Sequence, residues 1–99
     1  MPVLERAKNE KAPPLAVNGD FDAAKRLITL LVKMPPGMDV CRLEVSQAPN
    51  DEASWKEVPG HALRRRLAGY APGTYWFRAA TVFTDGLSSF CTPTVVVVR

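Results

Sequence analysis

Proline and glycine run through this chain as punctuation. Pro13-Pro14, Pro35-Pro36-Gly37, Pro49, Pro59-Gly60, Pro72-Gly73 and Pro93 recur at intervals of roughly 10–20 residues. Proline inside a helix removes a hydrogen bond and clashes with the preceding turn. A helical bundle needs unbroken stretches of about 10–14 residues with apolar groups at 3.6-residue spacing. Only Leu4–Lys11 approaches that, and it is short and polar. The segments between the breaks are rich in β-branched and aromatic residues. Short strands parted by regular turn signals predict an all-β sandwich or barrel.

Ninety-nine residues with a formal charge of +3 suit one domain. No apolar run reaches the ~18–20 residues of a membrane helix, so no membrane insertion is expected. Met1-Pro-Val-Leu-Glu-Arg-Ala-Lys8 has no apolar h-region. The chain is therefore expected to be made in the cytoplasm without a signal peptide. Residues 1–12 carry Glu5, Arg6, Lys8, Glu10 and Lys11 and read as a flexible charged arm, with the sandwich over residues 13–99.

Leu15-Ala16-Val17 reads as a short first strand, closed by a turn at Asn18-Gly19-Asp20. Arg26 to Met34 is the second, with Ile28, Leu30 and Val32 on one face. Val40 to Gln47 sets Cys41, Leu43 and Val45 against Arg42, Glu44 and Ser46. Ser54–Val58 is a short fourth strand, and His61–Ala68 a fifth with Leu63 and Leu67 inward. Tyr75, Phe77 and Ala79 alternate with Trp76, Arg78 and Ala80 in the sixth, and Asp85-Gly86 marks a hairpin tip. Thr92–Val98 is the seventh and last.

The run Leu67-Ala-Gly-Tyr-Ala-Pro-Gly-Thr-Tyr75-Trp-Phe-Arg78 resembles the signature that leads into strand F of fibronectin type III domains. The resemblance covers roughly residues 13–99 and includes the Pro-Pro after strand B and a valine-rich strand G. It implies a seven-stranded antiparallel sandwich, strands A, B and E against C′, C, F and G. Two positions depart from the family pattern: the corner is one residue shorter, and Val32 stands where strand B usually has tryptophan. At the E–F corner, with Pro72 and Gly73, Tyr75 has the parity to bury its ring and return its hydroxyl to upstream backbone.

No constellation in the sequence suggests catalysis. His61 is the only histidine, has no Gly-x-Ser-x-Gly partner and reads as a solvated turn residue. The carboxylates lack EF-hand spacing, and no glycine-rich phosphate loop occurs. Two cysteines and one histidine do not complete a structural zinc site. The chain is accordingly read as non-enzymatic, with no cofactor and no metal. Cys41 and Cys91 are expected to be reduced, since strand F separates their strands.

Arg64-Arg65-Arg66 alternates across strand E, so only Arg64 and Arg66 share the outer face; nucleic acid is disfavoured as a partner. Arg65 falls on the inward parity, where its methylenes would line the core rim and its guanidinium would reach water. Trp76 and Arg78 point outward, either as an internal cation–π stack or as an interface anchor. Val95–Val98 is apolar on both faces, which marks strand G as an edge that is covered or meets another chain; Val96 and Val98 are taken as its contact residues.

The sequence thus predicts an interaction or structural module in a larger assembly, such as a virion, tail or decoration component. Its partner would be a protein or another copy, met through the arm and strand G. The alternative is a ligand-binding or adhesive module, with glycans among its ligands, of a secreted or cell-surface system. The B–C loop (Pro36, Gly37, Met38, Asp39) and the F–G loop (Thr84, Asp85, Gly86, Leu87) are the other candidate contacts.

Overall fold

A computed structural model describes residues 12–99. The predicted arm lies outside the described residues except for Ala12, whose carbonyl accepts a bond from Thr81 Oγ1 at 2.7 Å. The strands are β1 (Ala16–Asp22), β2 (Leu27–Lys33), β3 (Cys41–Ser46), β4 (Lys56–Val58), β5 (Arg64–Leu67), β6 (Gly73–Phe83), β7 (Gly86–Leu87) and β8 (Thr94–Val98). One sheet has the order β1-β2-β5; in the other, β4-β3-β6 continues to β7 at one end of β6 and to β8 at the other. Every pairing is antiparallel. This is the predicted A-B-E sheet facing C′-C-F-G, with the two-residue β7 closing the hairpin after β6.

Alternation builds the core. Ile28, Leu30 and Val32 from β2 meet Leu43 from β3 and Phe77 and Ala79 from β6, all buried. Apolar side chains at every second position leave the opposite face for polar groups, and burying them supplies the main favourable free energy. Val32 is fully part of this core in the place of the absent tryptophan.

The corner is as expected from the tyrosine: its hydroxyl donates to the Ala71 carbonyl at 2.7 Å, and Tyr70 packs edge-on against its ring at 5.0 Å. Tyr75→Phe removes only that bond and should lower the unfolding free energy by about 1–2 kcal/mol. An unchanged denaturation midpoint would contradict the assignment.

Three expectations are corrected. Asn18-Gly19-Asp20 is not a turn but the middle of β1, with Gly19 opposite Leu30. A Cβ on Gly19 would lie 2.7 Å from Leu30 Cδ2 and 2.8 Å from Val96 Cγ2, so glycine is there because its neighbours fill the space. The turn comes instead at residues 23–26, where Asp22 Oδ1 accepts from the backbone N–H groups of Ala24 and Lys25.

Second, β5 begins at Arg64 rather than His61. His61 is exposed as expected, yet its Nδ1 donates to the Cys41 carbonyl at 3.2 Å. Third, the Arg65 guanidinium does not reach water. It is buried and donates to the carbonyls of Ala62 (2.7 Å), Pro59 (3.0 Å) and Gly60 (2.7 Å), so it holds together the segment entering β5. Three carbonyl dipoles replace the hydration that a buried charge loses.

Candidate interaction site

The outer face of the larger sheet gathers the residues that the sequence singles out. Outward positions on β6 are Trp76, Arg78, Ala80 and Val82; those on β3 are Arg42, Glu44 and Ser46. The register sets Glu44 directly opposite Arg78, and the pair is tied twice, by Nε at 3.1 Å and Nη2 at 2.8 Å. Arg78 Nη2 also donates to Glu52 at 2.6 Å, and Arg42 Nε to Glu44 at 2.8 Å.

Arg78 is only 12% exposed because two rings cover it. Its Cζ lies 4.3 Å from the ring centre of Trp55 and 4.0 Å from that of Phe90. The internal stack therefore forms, but with Trp55 and Phe90 rather than Trp76 as the aromatic partners. Burial would pull the Arg78 pKa down, yet its bonds to Glu52 and Glu44 and the charges of those carboxylates outweigh it and hold the value above its ordinary one. A guanidinium so enclosed fastens the chain before β4 and the chain after β7 onto the sheet; it is not available as an interface anchor.

The exposed end of this network carries a pH dependence. The bond from Arg78 holds the Glu52 carboxyl below its ordinary value of 4.5. A carboxyl with a lowered folded-state pKa contributes fully above the unfolded value and loses that contribution as pH falls through the folded one. Acidification below 4.5 should therefore loosen Glu52 from Arg78 and change the Trp55 fluorescence. Glu52→Gln should remove that transition; a transition of unchanged midpoint and amplitude in the variant would contradict it.

The B–C and F–G loops do come to one end of the sandwich. Pro35 to Met38 is a turn closed by the Met38 N–H on the Pro35 carbonyl, with Gly37 at a φ of 83° that its place in the turn requires. The Val82 N–H donates to the Val40 carbonyl, and Val82 pairs with Leu87. Val40 and Leu87 are both exposed there, so this end has a short apolar row across three segments. Thr84 and Asp85 form the two-residue tip. Pro36, Gly37 and Asp39 are exposed beside them, and Met38 is half-buried.

Strand β8 is corrected in its facing. Val96 and Val98 point into the core at 3% and 2% exposure, whereas Val95 and Val97 face outward at 51% and 44%. The contact side chains offered by this strand are thus Val95 and Val97. Trp76 pairs with Val95 and Thr74 with Val97, so the apolar row continues from β6 onto β8.

The cysteines are free. Cys41 pairs with Thr81 on one side of β6, while the Cys91 N–H donates to Ala79 on the other. Two strand spacings, about 9.6 Å, exceed the ~6.8 Å that a disulfide spans. Burial pushes the Cys41 thiol above its ordinary 9.0, against a counter-pull from the Arg65 guanidinium. In native protein Cys91 should react with a thiol reagent well before Cys41. Denatured, unreduced chain should give two thiols, and fewer would refute the unbridged state.

No protein-family model matches the sequence, and no curated protein does. Among solved structures the chain is similar to the crystal structure of a Fn3-like protein from Clostridium thermocellum. The match has a TM-score of 0.73 at 12% identity and covers 87% of this chain and 91% of that one. The fold is fibronectin type III-like. Among the described residues of this Fn3-like sandwich, no group of three or more His, Cys, Asp or Glu is placed to hold a metal. No described helix is long and apolar enough to cross a membrane.

Proposed function

We propose that this Fn3-like chain is a non-catalytic protein-binding module that works as a subunit of a larger assembly and docks through the free edge of β8. The observation that carries this reading is the contrast between β8 and the other edges. Sheet edges carry unpaired backbone groups that invite another strand, and proteins blunt them with charge or short length. Here β1 presents Asp20 and Asp22, and β5 is Arg64-Arg65-Arg66-Leu67. β4 is three residues long with Lys56 and Glu57 exposed, and β7 is two residues long. By contrast β8 is Thr94-Val95-Val96-Val97-Val98, paired among the described residues only with β6, and it carries no charge. An edge left so apolar is suited to strand addition, in which main-chain bonds give affinity and alternate side chains give specificity.

A photo-crosslinking side chain at position 95 or 97 of the full chain, in the cells that make it, tests the reading. Discrete protein adducts from these positions are expected. Adducts from a control position at Leu15, with none from 95 or 97, would sink it.

A further inference from the structure

We infer that the strand which pairs with β8 is the β8 of a second copy, in an antiparallel pair centred on Val96. The inference rests on the docking reading just given and names its partner. The first support is self-complementarity. A two-fold axis through Val96 sets Thr94 against Val98 of the other copy, Val95 against Val97, and Val96 against Val96. Both copies then keep the same side chains on the outer face, because a two-fold axis normal to a sheet preserves its faces.

The register within each copy extends the consequence. Trp76 lies beside Val95, and Thr74 beside Val97. Joined edge to edge, the outer face gains the row Trp76, Val95, then Val97 and Thr74 of the second copy, and the same row in reverse. Directly opposed β-branched and aromatic residues are the contacts that stabilise paired strands. The valines exposed in the single chain become cross-strand neighbours.

The flanks fix the centre. Pro93 has no N–H to give a ladder, and Arg99 ends the strand with charge. Pairing about Val96 uses all five residues of β8 and leaves Pro93 and Arg99 beyond the ladder. Pairing about Val97 would set Arg99 against Val95 and sacrifice both Val95–Val97 contacts. A groove of about 410 Å3 between β1 and β8, lined partly by Phe21, Val95 and Val97, leaves the β8 side of the sandwich recessed rather than covered by β1.

Sedimentation equilibrium of the full chain from micromolar to millimolar concentration reads the first consequence. The mass should rise from one chain to two and stop there, since a two-fold edge pair closes on itself. Val97→Lys should hold the mass at one chain, while circular dichroism and thermal unfolding show a native fold, because residue 97 is outside the core. Disulfide trapping reads the register. In a Cys91→Ser background, Val95→Cys mixed with Val97→Cys should give a crosslinked dimer that neither variant gives alone.

Three results would overturn the inference. They are a chain that stays single throughout, a dimer indifferent to Val97→Lys, or crosslinking by either variant alone as readily as by the mixture. A chain that stays single in purified form but still gives photo-adducts to another protein from position 97 would defeat this pairing and leave the docking reading standing. Absence of both would defeat the two together.

Discussion

Arg78→Ala should lower the unfolding free energy by about 2–4 kcal/mol, a large fraction of the 5–15 kcal/mol typical of a domain. Removing one partner of a buried ion pair costs about 3–5 kcal/mol because it strands the other charge. Arg42 still bonds Glu44 here, which keeps the expected loss below that full range. Trp55 and Phe90 lose the cation between them, a further source of cost. Arg78→Lys should recover only part of the loss, since an ammonium cannot reproduce the planar fork that serves Glu44 and Glu52 together. Urea denaturation at neutral pH measures this. An alanine variant within about 0.5 kcal/mol of the parent, the range of ordinary surface changes, would show that the stack is decoration rather than a fastening.

Gly19→Ala should cost about 1–3 kcal/mol, as overpacking a filled core does. This prediction runs against propensity, because alanine is normally preferred to glycine away from special backbone angles. The added methyl would meet Leu30 and Val96, which belong to opposite sheets. Those side chains are buried and cannot move aside freely. The expected readout is a lower melting temperature, and a second variant tests the cause: combining Gly19→Ala with Val96→Ala should cost less than the sum of the two. Strict additivity would place the strain elsewhere.

Much of the fold was legible because it follows from alternation and from turn chemistry. The apolar alternation of residues 28, 30 and 32 and of 41, 43 and 45 placed both central strands on the right faces. The Pro-Gly-Thr-Tyr run located the corner and its hydroxyl bond. Gly19 misled because a glycine between asparagine and aspartate signals a turn locally, whereas a close approach of Leu30 and Val96 is a tertiary fact. Arg65 had the right parity, but the carbonyls that receive it come from residues 59–62, whose path no periodicity describes.

The candidate site divides in the same way. Glu44 and Arg78 stand on neighbouring strands of the expected topology, whereas nothing local to Trp55 sets its ring over Arg78. Phe90 gave no signal, since the segment after β7 neither alternates nor belongs to a strand. In β8 every residue from 95 to 98 is valine, so the sequence carries no contrast from which to choose a face. Only the pairing with β6 tells Val95 and Val97 from Val96 and Val98. Identical side chains erase the alternation on which strand reading depends.

Hydrogen exchange of β8 bears most directly on the claim that a second copy of the module joins it along this edge. The full chain is compared at low and high concentration. Residues 94–98 should gain protection at high concentration, while β4 and β5, the charged edges, exchange at the same rate in both. Protection of β8 that does not change, or a gain that appears at β5 instead, would contradict the account.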